Sequence, residues 1–459
     1  FVLVLPYGQT PVGVSGPVDD TFDNNGDLVD DNYSRALGGN NSSGIVRDTN
    51  GGIHIAWFDG EIGRPYRIWY RRGTQNATTG ATTWSTPIDV ANGLAEYQSF
   101  VALAVTANVV HFAWPTSGTF NAIAKSDYIM YRRLVNTGGV WAFEAIENTG
   151  LRGYSHDNGC DIAAFNDDEI HIVARNRDNL TNFDYGYRLA GASAWVKESF
   201  NVTSIGAVGY KYPAITVDHR GDVHVVFTAL IRNGNNWPQI ANATSYYWNA
   251  WYLHRPRPTL VTPGTWSESH NALAAYPDWQ DHESNGQPYK DIAADWFDIQ
   301  TDYNGNIYMA WHGTAVNFVV GKDDAFITRR TFAYDGSNTG FEAPQALFAA
   351  TGSPNNLGYS WAPSICADKN NMVFPVFFYK KNGIPGFMNY ADMDSAYRVM
   401  RNGVFVDGGS KPLSKMADLN ITTGFADTTP HLYRHSNGKA WLDVLQGMLP
   451  NTSELSVVV

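Results

Sequence analysis

The chain is poor in charge and almost devoid of cysteine: charged residues make up 17% of its 459 positions, and 2 positions are cysteine. Two cysteines cannot build a disulfide framework. Cys160 and Cys366 fall on corresponding segments of different repeats, so a bond between them is not expected. There is no Cys/His cluster with zinc-ligand spacing and no EF-hand-type calcium loop, so no metal or organic cofactor is expected to be required. Calcium held by Asp and backbone carbonyls stays open. No apolar run reaches transmembrane length; FVLVL at the start is too short. Basic residues number 32 against 44 acidic ones, for a net charge of −12, the wrong sign for a nucleic-acid footprint. Neither nucleic acid nor membrane is an expected partner, and the chain is expected to be a monomer.

The absence of an initial Met fits a removed signal segment, and nine overlapping Asn-X-Ser/Thr triplets fit a glycoprotein. Secretion is therefore the expected localisation.

Glycine and aromatics are plentiful instead: 43 Gly and 14% aromatic residues, the composition of many short strands and many turns. A seven-residue phrase recurs: GGIHIAW from Gly51, NVVHFAW from Asn108, DEIHIVA from Asp168, GDVHVVF from Gly221 and GNIYMAW from Gly305. Two worn copies follow, NNMVFPV from Asn370 and GKAWLDV from Gly438. The spacings, 53 to 84 residues, belong to a β-propeller or a related array. Each copy is preceded by a short apolar run (SGIVRD, CDIAAF, PAITVD, FDIQTD) across a Gly, Asn or Asp turn, which makes a β-hairpin. A third run carries Arg (WYRR, MYRR, GYR, ITRR), and a fourth segment holds an aromatic (Trp84, Trp141, Trp195, Trp266, Phe341).

Four strands per repeat is one propeller blade. The expected fold is all-β: a single seven-bladed β-propeller spanning 1–459, with four-stranded antiparallel blades. Phe1–Leu5 should pair into the sheet that holds Ala440–Leu445, so that the N- and C-terminal strands close the ring and leave no open edge.

A repeat protein supplies its own control for structural roles. His54, His111, His171 and His224 share one phrase position, where Tyr308, Val373 and Trp441 stand in the other copies. A catalytic group is not needed four times, so these histidines are read as sheet packing. Arg71, Arg132, Arg188 and Arg329 are read as structural ties, and the fourth-segment tryptophans as packing between blades.

Candidate site residues are those that do not repeat and that lie in loops entering the first strand or leaving the second, because these loops converge on one rim. They include His156, His282 and His312, Arg175, Tyr212 with Tyr210 and Lys211, Tyr359 with Trp361, and Arg35 and Lys380. The long interval before the fifth phrase should raise a wall over one side of the channel mouth. A cationic, phenolic rim on an acidic protein points to an anionic ligand. Aromatic platforms suit sugars, so the expected partner is an acidic polysaccharide or oligosaccharide.

The chemistry that such a rim fits is β-elimination at a uronic acid. The proton beside the carboxylate becomes labile when Arg or Lys neutralises that charge. A neutral His or a Tyr can then remove it, while a second such group protonates the leaving oxygen. Expected catalytic residues are His156, Tyr212 and Arg175, with His312 and His282 in reserve. Expected substrate contacts are Tyr210, Lys211, Tyr359, Trp361, Arg35 and Lys380. Glycoside hydrolysis needs two carboxyls flanking the bond and ranks second. A sugar-binding propeller lectin ranks with it as an alternative, although equivalent lectin sites should repeat their loops, and these loops differ.

The phrase G-x-[IV]-H-[IV]-A-W, with a later G-x-[TS]-W, resembles the BNR-type repeats of sialidase-like propellers over essentially the whole chain. The sialidase Asp-box is absent: GATTWS at Gly80 and PGTWSE at Pro263 lack its Asp. The repeats are more similar to seven-bladed propeller polysaccharide lyases of the ulvan lyase and rhamnose–glucuronate lyase type. That resemblance implies His and Tyr in proton transfer, with Arg or Lys facing the uronate. Tyr212-Pro213 supplies the expected Tyr-Pro entry, whereas the Arg that should end the following strand stands instead in the third repeat, as Arg175.

Overall fold

The computed structural model describes residues 14–17, 45–48, 52–59, 67–75, 82–91, 97–98, 101–117, 128–153, 159–176, 179, 181–232, 246–262, 264–275, 295–313, 324–347, 359–367, 371–380, 394–406, 411–414, 427–434, 440–447 and 452–458. Apart from one 3-10 turn, Val202–Ile205, the regular structure among them is β. No helix is long and apolar enough to cross a membrane among the described residues. Among the described residues the strands fall into seven antiparallel sheets, numbered in chain order. Sheet three shows the unit plainly: Cys160–Asn166, Glu169–Arg175, Asn182–Arg188 and Val196–Asn201 pair in sequence.

Each phrase copy forms the second strand of its sheet, as its alternating pattern requires. In sheets one, four and five the hairpin ahead of it is fixed by an Asp that accepts from main-chain N–H groups within the turn. Asp48 bonds Gly52 at 2.8 Å, Asp218 bonds Arg220 at 2.8 Å, and Asp302 bonds Asn304 at 2.9 Å. Gly221 and Gly305 take the left-handed conformation there, at φ 89° and 84°. In sheet six Asn371 does so at φ 59°.

That turn corrects the alignment of the sixth repeat by one residue. Ala367 pairs with Val373 as Thr301 pairs with Ile307, so the residue equivalent to Tyr308 and to the four phrase histidines is Phe374, not Val373.

The first strands lie one against the next. The strand Ile45–Arg47 meets Ala102–Val105, which meets Cys160–Asn166, then Ala207–Val217, Asp295–Thr301, Tyr359–Ala367 and Asp427–Arg434, which lies back against Ile45–Arg47. The apolar core is divided into slabs between neighbouring sheets. Tyr252, Phe297, Met309, Trp311 and Phe341 fill the slab between sheets four and five, and four further slabs fill the joints from sheet one to sheet six.

The strand that joins the C-terminal one is Val14–Pro17, with Val14 opposite Leu455. Phe1–Leu5 lies outside the described residues.

The residues discarded by the repeat are packed as that reading requires. His54, His111, His171 and His224 are fully buried. Their Nδ1 atoms lie 2.7, 2.7, 2.8 and 2.8 Å from the hydroxyls of Tyr70, Tyr131, Tyr185 and Tyr252. Burial pushes the imidazoles down, that of His111 to about 3, so they stay neutral. In His54 and His224 the other nitrogen faces Asp48 and Asp218. That places the ring proton on Nε2 and makes Nδ1 the acceptor of the tyrosine O–H.

The arginines divide into two kinds. Arg188, Arg255 and Arg330 cross to the preceding sheet and bind Glu147 (2.7 Å), Glu198 (2.8 Å) and Glu268 (2.5 Å). Arg71 and Arg132 instead hold carbonyls, and Arg329 pairs with Glu342 within its own sheet. Beside the crossing arginines, Trp195, Trp266 and Phe341 pack edge-on against Tyr131, Tyr185 and Tyr252 of the preceding sheet, with ring centres 5.0 to 5.4 Å apart.

Candidate functional site

Three consecutive first strands carry the same irregularity at the same level. In sheet four Lys211 faces Thr228, but Ala214 faces Val226, so one extra residue stands in the first strand. Sheet five repeats this between Asp295 and Asp298, and sheet six between Trp361 and Ser364. Sheet three has no such step, since Cys160 and Asp161 face Ala174 and Val173 in direct succession. Pro213 and Pro363 occupy two of the bulges, where a missing N–H costs no ladder bond. Bulges re-aim side chains and gather beside active sites. These three lie at the strand ends where the entering loops arrive.

Tyr212 sits within the first of them at φ 50°. Among the described residues the other non-glycine positions with positive φ are Asn371 and Asn402, and asparagine tolerates that region. A tyrosine preceding proline does not, because both its ring and the proline favour extended backbone. The strain is held by the ladder on either side, and strained backbone of this kind concentrates at functional sites. Tyr212 is 9% exposed, and the half-buried Lys211 holds its ammonium 5.7 Å from the Tyr212 ring.

Arg175 ends the second strand of sheet three and is buried. Its main-chain N–H donates to Gly159 at 3.0 Å. Next to it, the Asn176 N–H donates to the Tyr210 hydroxyl at 2.6 Å, and that hydroxyl donates to the Asn182 carbonyl at 2.8 Å. Tyr210 is therefore a tie between sheets three and four, and burial raises its phenol above the ordinary tyrosine range. At 2% exposure, with its hydroxyl committed, Tyr210 leaves the expected set of substrate contacts. The tie brings the strand end carrying Arg175 against the strand carrying Lys211 and Tyr212.

The remaining expected residues are placed by register or not at all. His312 stands opposite Asp295 at the sheet-five bulge. Tyr359 stands opposite Lys380, and Trp361 opposite Phe378, at the sheet-six bulge. His156, His282 and Arg35 lie outside the described residues.

Two carboxylates escaped sequence reasoning. Asp161 and Asp298 occupy equivalent positions on the first strands of sheets three and five. Asp161 accepts from the N–H of Ile215, on the next sheet's first strand, at 2.9 Å; Asp298 accepts from that of Ile365 at 2.7 Å and from the Ser364 hydroxyl at 3.0 Å. Each acid latches the strand just past a bulge. Burial pushes Asp161 up to about 8, with Asp298 adding to the rise, and pushes Asp298 itself up to about 6. The signal was present in CDIAAF and FDIQTD as an Asp inside an apolar strand, a position that demands a partner.

No protein-family model and no curated protein sequence matches the chain. Among solved structures it is similar to polysaccharide lyase Uly1, at 12% identity, covering 91% of this chain and 89% of that one, with a TM-score of 0.47. It is similar to AofleA from Arthrobotrys oligospora, at 9% identity, 78% and 85% coverage and a TM-score of 0.40. It is also similar to an endo-arabinase from Bacteroides thetaiotaomicron, at 10% identity, 64% and 89% coverage and a TM-score of 0.33.

Chemically, the rim of sheets three and four offers a phenol, an ammonium and a guanidinium. Among the described residues no three His, Cys, Asp or Glu side chains gather as a metal site would need. Proton transfer beside a neutralised anion is within the reach of these groups.

Proposed function

We propose that the chain is a secreted polysaccharide lyase that cleaves a glycosidic bond to a uronic acid by β-elimination, with rhamnose–glucuronate the preferred linkage. In this reading the seven sheets are the blades of one closed seven-bladed β-propeller spanning 1–459, fastened where Val14–Pro17 pairs with the C-terminal strand. The observation that carries it is the strained Tyr212 on a bulge, with Lys211 adjacent and the strand end of Arg175 tied against it.

Arg175 and Lys211 neutralise the substrate carboxylate, which acidifies the neighbouring C–H. Tyr212 and His156 divide the proton work: one removes that proton while the other protonates the departing oxygen. The C–H electron pair becomes the new double bond, and the C–O pair leaves with the alcohol. His312 and His282 act from the far wall, with Trp361, Tyr359, Lys380 and Arg35 along the substrate.

Hydrolysis is the second reading, favoured by the pair Asp161 and Asp298. Each of these acids is already held by the next strand, however, which suits a latch better than an acid/base pair. A lectin reading requires equivalent ligand groups at each joint. The polar groups that do recur, the Glu–Arg pairs, are spent on one another.

Incubation with glucuronate-containing polysaccharides separates the readings. Elimination gives a conjugated, ultraviolet-absorbing uronate one water lighter than the hydrolysis product. Cleavage without that chromophore sinks the lyase reading, and retention of polysaccharide without cleavage favours the lectin.

A further inference from the structure

Away from the bulged strands, the joint between sheets two and three opens outward into a groove of about 870 Å³, within the range of small-ligand sites. Its chemistry-bearing walls are Tyr128, Glu147, Asn148, Arg152, Trp195 and Lys197. The outer strand of sheet two, Glu147–Arg152, turns at Gly150 with φ 73°, while Ser193 and Ala194 opposite add little bulk. A Cβ on Gly150 would come within 2.8 Å of the Lys197 Nζ, so the glycine makes room for that lysine to lie along the groove.

The local charge is positive in a chain of net charge −12. Glu147 is neutralised by Arg188 at 2.7 Å and accepts the Trp195 indole N–H at 3.0 Å. Arg152 holds its guanidinium 4.5 Å above the Tyr128 ring, and Lys197 is exposed. Rings for sugar C–H faces, an amide for hydroxyls and two cations for a carboxylate are the groups a uronate needs. A hydrogen-bond chain that begins at the main chain of Arg152 runs from this groove toward the strand end of Arg175. The Arg152 N–H donates to Asp184, which accepts from the Asn176 amide, and Asn176 adjoins Arg175.

We propose that this groove is a second saccharide site, which holds a uronate-bearing segment of an acidic polysaccharide outside the rim. The proposal shares with the lyase reading only the acidic polysaccharide, and it is tested by binding, not turnover.

The test is affinity electrophoresis of the full chain in gels containing a glucuronate-rich polysaccharide, its carboxyl-reduced form or a sulfated galactan. Retardation is expected in the first gel alone, and Lys197→Glu combined with Arg152→Gln should weaken it about tenfold at unchanged melting temperature. Equal retardation of the double variant, or equal retardation by the carboxyl-reduced or sulfated polymer, overturns the proposal. Should the variant fail to fold, amine labelling of Lys197 in the unaltered protein decides. Protection by the glucuronate polymer supports the site, and unchanged labelling overturns it. Retardation without any unsaturated product would leave the groove standing while the lyase reading fell.

Discussion

Nδ1 of His224 and the hydroxyl of Tyr252 lie 2.8 Å apart inside sheet four, and neither side chain reaches solvent. In sheet five Tyr308 takes the histidine position and Ile327 the tyrosine position, so both members of the pair are exchanged together. The pair is thus a packing unit. His224→Leu should cost about 1–3 kcal/mol, because it strands a buried hydroxyl. A double-mutant cycle with Tyr252→Phe should show coupling of about 1 kcal/mol. Turnover by the folded variant should be unchanged; lost activity at normal stability would make the phrase histidines functional.

The joint between sheets three and four makes a second expectation. Arg255 is fully buried and grips Glu198 with two nitrogens while lying over Tyr185. Removing it leaves Glu198 without its cation in a tight joint. Arg255→Ala should therefore cost about 3–5 kcal/mol in denaturant unfolding, and Arg255→Met less, since it restores apolar contact with the rings. Equal losses in the two variants would show that the ion pair, not packing against the rings, carries the joint.

Repeats made the sheets legible before any coordinate, because a period-2 phrase bounded by turn residues admits one local structure. The same control sorted His54 and Trp195 into packing. It misjudged Val373, since a one-residue shift in a worn copy is invisible until the turn at Asn371 is seen. For Tyr210 the sequence shows a place near the rim but not that its hydroxyl bonds back to sheet three. The bulges were only half-legible: the prolines at 213 and 363 mark two of them, while nothing in the run from Asp295 to Asp298 announces the third. The roles of Asp161 and Asp298 are not legible in the sequence, because a latch to the next strand is a tertiary relationship.

Asp161 makes stability depend on pH. Its folded pKa, about 8, stands above the ordinary carboxylate value, so between about pH 4 and pH 8 the folded state holds a proton that the unfolded chain has lost. Stability from this group is full below that window and falls as pH rises through it. Asp298 acts in the same direction up to about 6. Relative to the wild type, Asp161→Asn should gain stability as pH rises from about 5 to about 9, by an amount on the order of 2 kcal/mol. The four buried neutral histidines, present in both proteins, push stability up with pH in the lower part of that interval and cancel in the difference. A difference between wild type and variant that does not change across the interval would refute the assignment.

The rim makes the expectation with most at stake. If Tyr212 moves a proton, Tyr212→Phe keeps the ring, its packing and the left-handed backbone while deleting the reactive hydroxyl. Formation of the unsaturated uronate should then fall about 10²–10⁴-fold with little change in melting temperature. Arg175→Ala should cost about 3 kcal/mol in transition-state stabilisation, read as a loss in kcat/KM that shrinks on a substrate whose carboxyl has been reduced. His156→Ala should abolish product, and its rate should partly return with added imidazole. Tyr212→Phe at full rate would move the proton transfer to His156 and the far-wall histidines. Full rate in both Tyr212→Phe and His156→Ala would mean that the strained tyrosine serves the bulge alone and that the site lies over another pair of sheets.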